Sequence, residues 1–165
     1  MSAEQKSELS EELKQPESEF LHMKKESSEF FSGLSDKVFN THPSSGGWSI
    51  GECIDHLIAT GFDYCDKYEE ALAKAREKNL TLNGKLKRSW FANKFINNVE
   101  PPVKLRLKAP KKWRPDSKIN KTKAVTAYLQ LQDRWMDLIN RSSGWDIGRI
   151  KLPSPATNLI KFSGF

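Results

Sequence analysis

No apolar run in this chain approaches the roughly 18–20 residues that a helix needs to cross a bilayer, so no membrane partner is expected. The start, Met1-Ser2-Ala3-Glu4-Gln5-Lys6, puts no apolar stretch behind its charges, which reads against a signal peptide and for a cytoplasmic protein. Cysteine is scarce, with Cys53 and Cys65 alone. On one helix they would stand about 18 Å apart at about 1.5 Å per residue, which excludes a disulfide between them. Both read as small buried apolar side chains in a reducing compartment, and no base flanks either thiol closely enough to acidify it. There is no Cys-x-x-Cys pair, no Gly-rich phosphate loop, no Ser-His-Asp ordering, no internal repeat and no low-complexity tract. Histidine occurs only as His22, His42 and His56. At 165 residues one domain is expected, yet the hydrophobic share of 37% and a mean hydropathy of -0.66 are low for it. Solvated tails, or a core that is not all present, would both explain that.

Charge is unevenly spread. Residues 79–123 hold 13 Lys or Arg against Glu100 and Asp116, whereas the rest of the chain holds 14 basic and 19 acidic residues. Trp90, Phe91, Phe95 and Trp113 stand between those charges, which is the composition of a nucleic-acid surface. The plainer reading is a solvated connection whose aromatics pack down as anchors while Lys and Arg stay wet, and it ranks first.

Residues 1–16 read as a loosely held helical arm ended by Pro16, with residues 17–165 as the folded domain. Glu17 to Gly33 reads as a helix with Phe20, Met23, the Lys24 stem, Ser27, Phe30, Phe31 and Leu34 inward. Leu34 to Phe39 could add a turn capped by Ser35, and Asn40 to Gly47 is a loop. A helix of nearly 30 residues follows from Ile50 to about Lys78. Asn79 to Ser117 is irregular, with a short amphipathic helix around Trp90 to Ile96 and an extended segment over Lys104 to Lys108. Its prolines forbid a long helix. A third long helix runs from about Lys121 to Arg141, with Ala124, Tyr128, Leu131, Trp135, Leu138 and Ile139 inward. Gly144 closes that region, a two-proline loop follows, and an apolar pattern resumes at Ile160.

Residues Gly46 to Thr60 say most. Ser49 and Glu52 form a capping box, in which each side chain accepts the other residue's amide. Trp48 precedes the cap and can staple onto Cys53. Ile50, Cys53, Ile54, Leu57, Ile58, Phe62, Cys65, Tyr68 and Leu72 keep the three-and-four spacing of a buried face. His56 lies beside that stripe, and its direction decides its role. A Cys-x-x-His pair on a helix is a weak metal signal, and Cys53 reads better as core. Asp55, Asp63, Asp66 and Glu69 fit an outer, solvated face, with Asp63–Lys67 and Glu70–Lys74 pairs four residues apart, better than an acid–base pair.

The Leu34-Ser-Asp-Lys-Val-Phe-Asn40 segment, Pro43 and the Trp48-Ser-Ile-Gly-Glu-Cys-Ile-Asp-His-Leu57 helix closely resemble the DinB-like (damage-inducible) metal-binding four-helix bundles. These are unrelated to the polymerase that shares the name. Glu100-Pro-Pro102, Lys108-Ala-Pro110 and Leu152-Pro-Ser-Pro155 extend the likeness, so it covers roughly Glu17 to the C-terminus. The resemblance implies an all-α, up-down four-helix bundle, of which most of the fourth helix would be missing here. It implies one metal ligand at His56, with two more from a His-x-x-x-His pair on the last helix, for which no counterpart occurs before Phe165. The bland alternative is a histidine satisfied in the bundle interior. Nickel, zinc or iron would be the metal, not retained by this chain alone. The implied function is metal-dependent transfer on a small molecule, the family's enzymes including thiol-dependent S-transferases and a maleylpyruvate isomerase, or a hydrolase-type scaffold. A small-molecule substrate and a second copy of the chain are the implied partners. The rival is a non-enzymatic helical module whose basic surface binds nucleic acid or another acidic partner.

Overall fold

The computed structural model describes residues 3–82, 108–153 and 161–163, with side chains from Glu17 to Lys151 of those. Its helices are α1 (Ala3–Ser32), α2 (Asp36–Asn40), α3 (Ile50–Glu77) and α4 (Lys121–Arg141), with 3-10 turns at Lys111–Trp113 and Ile147–Arg149. Strands β1 (Lys151–Pro153) and β2 (Lys161–Ser163) pair antiparallel, Leu152 opposite Phe162. Among the described residues the fold is all-α apart from this small pair and an isolated Thr81–Trp145 bridge. Contacts divide it into two compact units, one of residues 1–65 and 111–141, the other of 66–110 and 142–165. The Trp90–Ile96 helix and most of the Lys104–Lys108 extended segment fall outside the described residues.

In the first unit the core takes one buried residue from each helix: Phe31, Phe39, Ile54 and Ala124. Phe31 meets Phe39 and Tyr128 edge-on at ring separations of 6.2 and 5.9 Å. Such pairs contribute about 0.5–1.5 kcal/mol beyond the area they bury. Ser35 caps α2 as the sequence indicates, its hydroxyl accepting the Val38 amide at 3.3 Å. Asn40 at the end of α2 then ties to Ile119 twice, through the Ile119 carbonyl at 3.1 Å and its amide at 3.2 Å.

Lys24 bonds Asp133, Asn140 bonds Glu17, and Phe20 stacks on Trp135, so α1 and α4 run antiparallel. By contrast, an added Cβ on Gly51 would meet Phe39 and Ile119, and one on Gly61 would lie 2.3 Å from Leu131. Rising contacts of 51 with 119 and 61 with 131 make α3 and α4 parallel. The up-down alternation therefore holds from α1 to α3 and stops at α4, which runs in the same direction as α3.

Some sequence expectations are corrected. Helix α1 continues through Pro16 instead of breaking there. Met23 and Phe30 are exposed on α1, and Cys53 and Leu57 on α3, so the buried stripes are narrower than the apolar patterns. On α4 the expected Ala124, Leu131, Leu138 and Ile139 are buried. The apolar resumption near Phe162 is a strand, not a helix start. Ile160, Lys161, Phe162 and Ser163 alternate apolar and polar, the period-two pattern that suits a pleated chain.

In the second unit Asn79 adopts a left-handed φ of 49° and closes α3, with the Leu80 amide reaching back to the Ala75 carbonyl at 2.8 Å. Residues 80–82 then pair with 144–146, Leu82 donating to Gly144 and Asp146 to Leu80. Gly144, at φ 82°, supplies the backbone freedom for that turn.

The start of α3 carries the capping box foreseen from the sequence. The Ser49 amide donates to Glu52 at 2.7 Å and the Glu52 amide to Ser49 Oγ at 3.2 Å, with both residues buried. Trp48 is 40% exposed, its ring lies against His56, and Cys53, its expected staple partner, is exposed as well. Ser49→Ala should therefore lower stability by about 1 kcal/mol, and Trp48→Ala by less than that. Denaturant melts check both; a neutral Ser49→Ala would mean that the cap does not set this helix.

Candidate functional site around His56

Helix α3 places His56 one turn beyond the cap, between two tryptophans. The Trp48 ring lies against it at 5.0 Å, tilted by 51°. On the other side His56 Nδ1 stands 2.7 Å from the backbone carbonyl of Trp113, 57 residues away in sequence. A carbonyl only accepts, so Nδ1 carries the proton and donates it. In the neutral ring the lone pair is then on Nε2. That is half of a metal ligand's usual arrangement, in which the second nitrogen is fixed by a protein acceptor.

The segment bearing that carbonyl is a strap laid along α3. Trp113 is 5% exposed and stacks on Tyr64 at 6.1 Å. Lys112 pairs with Asp63 at 2.7 Å, and the Asp116 amide donates to Asp55 at 3.1 Å. The strap is thus held at Asp55, His56, Asp63 and Tyr64, about two turns of one helix face. Trp113 is the inward anchor expected of the plainer reading of the basic segment, while Lys111, Arg114, Lys118 and Lys123 around it are exposed.

The other candidate ligands are elsewhere. His22 is exposed on α1, 3.2 Å from Glu26. His42 is held in its loop by the Gly47 carbonyl at 2.8 Å, with Glu52 at 3.5 Å. Cys53, expected to be buried, is exposed on the helix flank. Partial burial of its sulfur and then the Glu52 carboxylate push the thiol above its ordinary value, which disfavours a thiolate there. Glu70 and Lys74 form the expected pair at 3.6 Å, and Asp63 reaches Lys112.

These residues do not fit a metal centre by themselves. Among the described residues no three His, Cys, Asp or Glu side chains gather closely enough to hold a metal ion. The buried polar atoms without a protein partner there include Trp113 Nε1, Thr60 Oγ1 and Gln132 Oε1, and the indole N–H can only donate. His56 is a positioned single donor.

Sequence reasoning found His56 but missed what orients it. A backbone carbonyl has no signature, and no spacing rule links residues 56 and 113. Lys112 and Trp113 could have been flagged only as charge and anchor.

A helical protein with one oriented imidazole on its capped central helix is the class that fold and site define. The family model of the DinB superfamily matches residues 19–162, and the chain belongs to that superfamily. No curated protein and no solved structure matches it.

Tyr64, under the strap, has its phenol pushed up to about 12 by burial and then by the Asp63 carboxylate. Folding thus disfavours the phenolate, so Tyr64 contributes stability below its unfolded value near 10.0 that is lost as pH rises towards about 12. Tyr64→Phe should make stability fall less steeply across that interval, as read by urea melts at stepped alkaline pH. Identical slopes in variant and parent would remove Tyr64 from the alkaline transition.

Proposed function

We propose that the protein is a DinB-type scaffold for metal-dependent chemistry on a small molecule, in which α3 supplies one donor, His56. The observation that supports this is the Trp113 carbonyl on His56 Nδ1, which leaves Nε2 as the ring's free lone pair. A tight zinc-type site needs three or four donors held together, and the described residues bring one. Nickel, zinc or iron, with a thiol or water activated on it, is what the family implies; the further donors would have to join His56 from outside this cluster, a second copy of the chain included.

The expected result is that the protein, after dialysis, holds no stoichiometric nickel, zinc or iron by elemental analysis. Added nickel should bind weakly, and His56→Ala should abolish that binding in a calorimetric titration while His22→Ala leaves it unchanged. One tightly held metal per chain, or weak binding indifferent to His56→Ala, would overturn the proposal.

The binding-module reading has its own support in exposed Lys111, Lys118 and Lys123 and in an α4 first turn without an acid. The inward Trp113 removes a stacking surface and weighs against nucleic acid. Any binding should be weaker than about micromolar at physiological salt. A tighter, salt-sensitive electrophoretic shift weakened by Lys111→Glu with Arg114→Glu would reverse the ranking.

A further inference from the structure

We infer that Trp113 is a positioning residue for His56: its buried ring, helped by the Lys112–Asp63 pair and the Asp116–Asp55 bond, holds its own carbonyl on Nδ1 and so sets which ring nitrogen is free. This rests on the reading of His56 as the α3 donor and names the device that orients it.

The argument starts from what a carbonyl can and cannot do. Every residue has one, so the Trp113 carbonyl matters only if it stays within hydrogen-bond reach of His56, at 2.7 Å. A loop carbonyl free to move would let the imidazole take either tautomer, since in the neutral ring either nitrogen can hold the proton. Three contacts stop that movement. The Trp113 side chain is 5% exposed and stacks on Tyr64, eight residues along α3 from His56. Lys112 reaches Asp63, one residue before Tyr64, and its ammonium also lies 4.6 Å from the centre of the Trp113 ring. The Asp116 amide is taken by Asp55, next to His56. The strap is thus fixed at both ends of the α3 stretch that carries His56, with the carbonyl between the fixed points.

The contributions differ in kind. Lys112 and Asp63 have side chains 54% and 28% exposed, and a pair so open to solvent adds little stability. A buried indole contributes far more through the apolar area it removes from water. Trp113 is therefore the anchor, and the two polar contacts fix the direction in which its backbone lies. A purely structural anchor would hold the loop without any consequence for one imidazole's tautomer; a positioning anchor must show that consequence.

The test reads the tautomer directly, without metal, from the ring-nitrogen shifts of His56 in 15N-labelled protein at a pH where the ring is neutral. The parent should show a single Nδ1–H form. Trp113→Phe keeps a stacking ring and should keep that form. Trp113→Ala retains a backbone carbonyl at 113 but no anchor, and should lose the single form to a mixture. Because Trp113→Ala removes a buried ring, Asp55→Ala with Lys112→Ala is made beside it; these side chains lie at the surface, and the pair should shift the tautomer part of the way while helical circular dichroism stays unchanged. An Nε2–H form in the parent would overturn the inference. So would an unchanged Nδ1–H form in Trp113→Ala or, should that variant not fold, in the double surface variant. Neither result depends on whether metal binds, so failure here is separable from failure of the metal proposal.

Discussion

The buried capping box at Ser49 and Glu52 is the constraint on which the first unit depends. A carboxylate at low exposure is tolerated because it takes the Ser49 amide, and removing that partner would leave a buried charge unsatisfied. The box fixes where the helix begins, and a helix advances about 100° for each residue. Its first residue therefore decides which side chains face which neighbours. With α3 starting at Ile50, Ile54 enters the core with Phe31 and Phe39, and Gly61 lies against Leu131. His56 meets the strap in the same register. A start displaced by one residue would turn His56 away from Trp113 and bring Leu57 into its place. The cap stabilises by about a kilocalorie, but its larger effect is to select one register from several.

The close approach of α3 and α4 is the second consequence. Leu131 fills the space where a Gly61 side chain would stand, so the two helices pack without a spacer. A glycine in mid-helix costs about 1 kcal/mol of propensity. Here that cost coincides with a contact no larger residue would allow unless Leu131 moved. The parallel run of α3 and α4 also brings the strap, which leads directly into α4, alongside the first turns of α3. The site's orienting carbonyl is thus a product of chain direction: an antiparallel α4 would have its entrance at the opposite end, far from His56.

Much of this was legible in the residues. The three long helices, the Ser35 turn, the capping box and the inward face of α4 all follow from local rules whose partners lie within four residues. The DinB-like motif named the superfamily. Where the reading went astray, the deciding contact was distant or the local rule was outvoted. Proline rules place a break at Pro16, yet helix α1 passes through it. Spacing pairs Trp48 with Cys53 as a staple and does not show that the ring lies against His56. Cys53 and Leu57 fit an apolar period while lying on its margin, and period alone does not give the width of a buried face. The strap was beyond any local rule, since its four attachments join residues 49 to 61 positions apart.

The ligand and the interior readings of His56 share their first observation, a ring nitrogen satisfied by the protein. They part at the second nitrogen. A histidine serving only the fold also takes the Nδ1–H form against the Trp113 carbonyl, but needs its Nε2 merely paired or wet. A donor needs Nε2 unprotonated and held in one direction before any partner arrives, because the ordering is otherwise charged against binding. The strap supplies that ordering from a segment more than fifty residues away, anchored by a buried indole whose N–H has no hydrogen-bond partner among the described residues. The same segment lies within the basic stretch of residues 79–123, with its lysines exposed around the buried ring. Anchoring and solvation are thus divided between neighbouring side chains, which is how a basic loop can be both wet on one side and exact in position on the other.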